Sequence, residues 1–232
     1  MTVLDRLAAY NPPADFQPCE ITFSLATPLM MAFPWIFGDA LVARMLMEDM
    51  LGDEFYNLPT KEPLPVSKFL RLPLQKTGLI YHASASILDT DEMHTTVLYK
   101  RFHEAADLKT KTRIRRNSGM MRDYMMKFPY SASKTVKFYM NGNLEELKRL
   151  LSPIRHLGKK RAVGGGEVCG FAISELPTDW SITKDGIAMR SIPCNMLKSF
   201  ENIRVMRLAY TFPGWAPENV AMCVAPGGRC EI

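Results

Sequence analysis

Twice along this chain a short run of alternating apolar and polar residues leads through a turn into a helical stripe, and this repeated strand-then-helix order restricts the fold more than any other feature. From Glu20 to Leu25, Ile21, Phe23 and Leu25 alternate with polar neighbours, the period of a strand with one buried face. Thr27 and Pro28 end it. Gly38 and Asp39 can cap a helix in which Leu41, Val42, Met45, Leu46 and Met50 recur at helical spacing as far as Gly52. The pattern returns at Lys134 to Met140, where Val136, Phe138 and Met140 share a face before the turn Asn141-Gly142. Asn143 caps the second helix, and Glu146 completes a box-like start. Leu144, Leu147, Leu150, Leu151 and Ile154 form its stripe, with an end expected near Gly158.

The intervening segments add strands. After a proline-rich loop from Pro59 to Pro73, Gly78 to Leu88 and Thr95 to Phe102 read as two strands around an acidic turn at Asp89 to Glu92. Val168 to Ser174 places Cys169, Phe171 and Ile173 on one face, and Arg204 to Phe212 and Asn219 to Val224 supply two more strands. The order predicts an α+β fold: a ferredoxin-like antiparallel sheet with helices on one face and its other face free. A basic projecting insertion and extra C-terminal strands elaborate it. With 232 residues, 47% of them hydrophobic, one core is expected. The chain is therefore read as a single domain, 1–232, with 103–133 an inserted basic arm and 194–232 a C-terminal strand extension.

Charge is concentrated rather than spread. The chain carries a formal +5, yet residues 109–137 hold nine basic residues against Asp123 alone, a net +8 that leaves −3 for the remainder. Lys109, Lys111, Arg113, Arg115, Arg116, Arg122 and Lys127 repel one another unless a polyanion lies against them, and nucleic acid is the expected partner. Asn117, Ser118, Gly119, Tyr124, Phe128, Tyr130 and Tyr139, interleaved with them, can donate hydrogen bonds to phosphates or offer faces on which unpaired bases stack. A second cluster, Lys148, Arg149, Arg155, His156, Lys159, Lys160 and Arg161, leads into Gly164, Gly165 and Gly166. Consecutive glycines allow close approach and positive φ, so that successive N–H groups can converge on a phosphate. No Gly-Lys-Ser or Gly-Lys-Thr follows them, which argues against a nucleotide-triphosphate loop.

Other functions find less support. The five cysteines are far apart, without the close pairs that grip zinc, and each is expected to be a small buried hydrophobe. No metal and no cofactor is expected. No apolar stretch approaches the roughly 20 residues needed to cross a bilayer, and the amino terminus lacks the apolar core of a secretion signal, so a cytoplasmic location without membrane partners is expected. His82, His94, His103 and His156 form no catalytic constellation in the sequence. His82 lies in a strand as a structural histidine, and His94 follows the acidic turn, exposed. The chain is read as not an enzyme.

Around the glycine triplet the chain resembles the RAMP superfamily of class 1 CRISPR systems. Glu20 to Pro28 looks like the opening strand of that family, and Gly38-Asp39-Ala40-Leu41 like the start of its first helix. Tyr81-His82-Ala83-Ser84-Ala85-Ser86, Gly158-Lys159-Lys160-Arg161, Asp179-Trp180-Ser181-Ile182 and Ala188-Met189-Arg190-Ser191-Ile192-Pro193 are together similar to the Cas-five-type subunit of type IV complexes. One departure is Glu167, where many such loops carry a basic residue. The resemblance implies a subunit that caps the 5′ repeat-derived handle of the guide RNA (crRNA) and touches the backbone and large subunits. It also implies contact with target DNA near the flanking motif, in a complex that opens an R-loop. The alternative is a metal-independent endoribonuclease that processes repeat RNA on a similar core, with a histidine activating the ribose 2′-hydroxyl.

Overall fold

The structure, a computed structural model, describes residues 2–59, 64–101, 117–118, 122–201 and 204–232. It is an α+β fold with antiparallel sheets and few helices. The elements that position the site are α1 (Val3–Ala9), β1 (Gln17–Leu25), β2 (Leu29–Met30), α2 (Gly38–Leu51), β3 (Ile87–Leu88), β4 (Met93–Lys100), β5 (Tyr124–Ser131), β6 (Thr135–Gly142), α3 (Leu144–Leu151), β7 (Val168–Glu175), β8 (Ile192–Pro193), β9 (Val205–Ala209) and β10 (Val220–Val224).

The main sheet has the order β3-β6-β1-β7, with every neighbour antiparallel. Alternation along β1 turns Cys19, Ile21, Phe23 and Leu25 inward against Val136, Phe138 and Met140 of β6. The Phe23 and Phe138 rings meet edge to face at 6.2 Å. Val42 and Leu46 of α2, with Leu147 and Leu151 of α3, close this core from one side. Each such buried side chain contributes about 1.5–3 kcal/mol. Asn143 accepts the Glu146 N–H at 3.0 Å, as the capping pattern predicts. Helix α3 ends at Leu151, earlier than expected near Gly158, because Pro153 cannot continue the backbone ladder. Ile154 and Leu157 still reach the core from the following turn.

Three further expectations are corrected. Residues 78–88 do not pair with the strand after the acidic turn. That strand, β4, pairs across the arm with β5, from Met93 opposite Ser131 to Lys100 opposite Tyr124. The carboxy-terminal part of the 103–133 segment is thus one side of a hairpin. Cys169 is exposed, not buried: the β1 partner changes from Gly170 at Ser24 to Val168 at Leu25, so a bulge leaves Cys169 over and brings Val168 to the core. Nor is the second face of the main sheet wholly free. Trp180 packs edge-on against Tyr139 at 5.4 Å, and the Lys184 ammonium lies 3.9 Å from the Trp180 ring centroid, covering the β6 end of that face.

A separate C-terminal sheet, β8-β10-β9, has its own small core of Ile192, Leu208, Cys223 and Val224. The arm hairpin β4–β5 joins β2 in the order β2-β5-β4. No described helix is long and apolar enough to cross a membrane.

Candidate nucleic-acid interface

Strand β2 is two residues long, yet it holds together the two basic regions because each of its edges is used. On one edge Leu29 and Met30 pair with Ser131 and Tyr130 of β5, and Met31 N–H reaches Pro129 O at 3.2 Å. On the other, Met30 O accepts Lys159 N–H at 2.7 Å and Pro28 O accepts Gly166 N–H at 2.9 Å. The cationic glycine turn and the base of the arm hairpin are therefore neighbours. Their side chains also meet: Lys160 Nζ lies 5.5 Å from the centroid of the Phe128 ring.

The turn itself differs from a phosphate nest. Gly164 N–H donates to Arg161 O at 2.9 Å, Gly165 N–H to Lys160 O at 3.2 Å, and Gly166 N–H to Pro28 O, so all three glycine amides have partners within the protein. The glycines serve close packing instead. Gly166 has φ +63°, and a Cβ there would stand 2.1 Å from Leu157 O. Thr27 Oγ1 locks the turn by donating to Gly164 O at 2.6 Å and accepting Glu167 N–H at 2.8 Å. What the turn offers outward is charge: Lys159 and Arg161 are exposed, and Lys160 is half-buried. Lys160 holds φ +59°, a conformation that costs a side-chain-bearing residue about 1–2 kcal/mol. Strain of this kind is concentrated at functional positions.

Alternation along the hairpin separates the arm's residues into two faces. Tyr124, Phe128 and Tyr130 share the face that meets Lys160, where the His94 ring lies tilted over Tyr130 at 5.4 Å. His94 is exposed, as expected. Lys127, opposite Val97, falls on the other face with the exposed Tyr99 and Met125. Arg122 is exposed just before β5. Lys109, Lys111, Arg113, Arg115 and Arg116, together with His103, lie outside the described residues. His156, on the far side of the turn, forms a backbone bridge to Glu167 and lines a cleft with Lys159. Arg44, Phe33 and Trp35 also line that cleft. Sequence reasoning missed this role for them; a Phe-Pro-Trp run in a loop was the available signal.

In a second polar cluster, His82 Nδ1 stands 2.6 Å from Asp179 Oδ2, and its Nε2 2.8 Å from Thr77 Oγ1. Asn141 Nδ2 donates to the same carboxylate oxygen at 2.9 Å, and Ser181 N–H to Oδ1 at 2.8 Å. Burial opposes ionisation of Asp179, but the hydrogen bonds from His82, Ser181 and Asn141 prevail and hold its carboxyl well below the usual carboxylate range. Both imidazole nitrogens are engaged, and His82 lies in a bend after Ile80–Tyr81, not inside a strand as expected. Among the described residues, no group of three or more His, Cys, Asp or Glu side chains is disposed to hold a metal.

Residues 75–226, more than half of the chain, match the family model described as CRISPR type IV associated protein Csf3. Among solved structures, the chain is similar to one in the cryo-EM structure of the Type III-B Cmr-beta bound to cognate target RNA. The TM-score is 0.39 at 11% identity, over 69% of this chain and 61% of that one. A likeness this slight carries no argument. No curated protein matches the chain.

Proposed function

The chain belongs to the Csf3 family of CRISPR type IV associated proteins, and on that footing we propose that it is a non-catalytic, RNA-binding subunit of a type IV ribonucleoprotein complex. It holds the 5′ handle of the guide RNA in the cytoplasm. The observation that carries this reading is the junction at β2, where Lys159, Lys160 and Arg161 adjoin a hairpin whose buried Phe128 lies against Lys160 and whose exposed Tyr124 and half-buried Tyr130 share that face. Cations release counterions from the phosphate chain, and aromatic faces take unpaired bases, which suits a single-stranded handle.

The finer assignment, a Cas-five-type subunit at the capped end, draws support from topology. Strand order β3-β6-β1-β7, with α2 following β1 and α3 following β6, is the order of a split ferredoxin-like unit. In this position the chain touches the backbone and large subunits and meets target DNA near the flanking motif, while base pairing with the guide reads the target sequence.

The test is to replace Lys159, Lys160 and Arg161 together by glutamate in the assembled complex and quantify guide RNA that copurifies at moderate salt. Marked loss is expected; retention equal to the unaltered complex would sink the reading.

One observation bears on a second reading, a metal-independent repeat endoribonuclease. The Asp179–His82–Thr77 chain has the order in which a carboxylate orients a histidine beside a hydroxyl. Because Thr77 occupies Nε2, that nitrogen must be released before it can take a ribose proton. Incubating the protein with labelled repeat RNA in chelator decides between them. Cleavage lost in His82→Ala supports the enzyme, and binding without cleavage supports the scaffold.

A further inference from the structure

The loop between β2 and α2 carries three aromatic residues within five positions. Phe33, 46% exposed, is the outermost of them. Its ring lies 5.4 Å from that of Trp35, nearly perpendicular, and 6.5 Å from that of Phe37. These rings line a cleft of about 280 Å³ together with the His156–Lys159 segment that leads into the glycine turn. Arg44 and Leu41 of α2 form part of its lining.

The cleft does not stand alone. Leu41, Arg44 and His156 are shared with a smaller adjoining cleft of about 200 Å³, along which Arg155 and Arg161 lie. Across the two clefts the cationic side chains are Arg44, Arg155, Lys159 and Arg161. The sole carboxylate in their described lining is Glu48, which faces Arg44 at 3.7 Å. An apolar segment of a protein partner would have to strip water from these cations without neutralising them, whereas a phosphodiester neutralises them. The larger cleft is just below the roughly 300 Å³ at which small-molecule pockets begin, which suits one planar ring system better than an extended chain.

We infer that this cleft seats a single unpaired base of the bound RNA. Phe33 supplies the stacking face, and Lys159 on one side and Arg155 and Arg161 on the other receive the flanking phosphates. The inference rests on the RNA-binding reading above and deepens it: the handle is held by charge along the turn and by one flipped base beside it. Stacking on a single aromatic residue changes affinity roughly tenfold and tolerates any base, because every base has a π face.

The test uses the full-length protein with guide RNA, intact and with single abasic sites placed along the handle. Phe33→Ala is expected to weaken binding of intact RNA about tenfold without altering its salt dependence, and Phe33→Tyr to restore it. For one abasic position, wild type and Phe33→Ala should bind equally. Independently of any variant, 4-thiouridine scanned through the handle should cross-link wild-type protein within residues 31–37. If Phe33→Ala changes nothing while Lys159→Ala still weakens binding, or cross-links fall only elsewhere, the base site is wrong and the RNA-binding reading stands. If the cleft is instead shielded by another subunit in the assembled complex and no RNA cross-links there, a protein occupies it and the inference is overturned. Wild-type protein that binds no RNA overturns both.

Discussion

Arg190 Nη2 stands 3.1 Å from Asp39 Oδ2, a pair whose side chains are 1% and 2% exposed and which lie 151 positions apart. Asp39 belongs to the first turn of α2, and Arg190 to the segment entering the C-terminal sheet β8-β10-β9. The guanidinium also donates to Ala83 O at 3.1 Å, to Tyr210 O at 2.5 Å and to Tyr81 O. One buried cation thus ties α2, the approach to β3 and the C-terminal sheet to each other. Arg190→Met should destabilise the fold by about 3–5 kcal/mol, because it strands a buried carboxylate. Adding Asp39→Leu should recover part of that loss, a non-additivity measurable by urea unfolding of the two single variants and the double.

The glycine turn contains its own control. Gly164 has φ +81° but open space where a Cβ would stand, while at Gly166 the Cβ would meet Leu157 O at 2.1 Å. Gly164→Ala should cost about 1–2 kcal/mol from backbone strain alone. Gly166→Ala should cost clearly more and shift the thermal midpoint further, since strain and overlap combine. Equal shifts would mean that the turn is not packed as described.

Acid sensitivity should pass through Asp179. Its folded-state pKa lies below the ordinary value, with burial opposing and hydrogen bonds from His82, Ser181 and Asn141 favouring the charged form. The resulting stability is fully present above the unfolded value, about 3.9, and is lost as pH falls from there towards the folded value. Asp179→Asn should therefore cost about 1–3 kcal/mol at neutral pH and show a shallower decline in urea midpoint below about pH 4 than wild type. Parallel declines would refute the assignment.

Lys160 offers opposed effects on stability and binding. Lys160→Gly relieves the strain of φ +59° while losing the contact with Phe128, so stability should stay within about 1 kcal/mol of wild type. RNA affinity should nevertheless fall, and the slope of log affinity against log salt should shrink by about 0.7 if one phosphate contact is lost. An unchanged slope would remove Lys160 from the interface.

Much of the main sheet was readable because its signals are local. Ile21, Phe23 and Leu25, and Val136, Phe138 and Met140, alternate without interruption, and the Asn143 cap lies three residues from Glu146. Cys169 was misread because a single bulge residue shifts the period-two pattern by one without leaving a mark in composition. The β4–β5 pairing was missed because the strands that meet are separated by the arm, and the nearer partner, residues 78–88, is engaged elsewhere.

From the order of residues alone came the inward faces of β1 and β6, the concentration of positive charge, and the need for glycine at 164–166, since periodicity, charge and backbone freedom belong to neighbours in the chain. That Lys160 should rest on Phe128, that the Gly166 amide should be spent on Pro28, and that Asp39 should meet Arg190 were settled by folding. Each joins partners through segments such as β2 whose two edges are filled from distant parts of the chain, and no local pattern specifies which distant edge arrives.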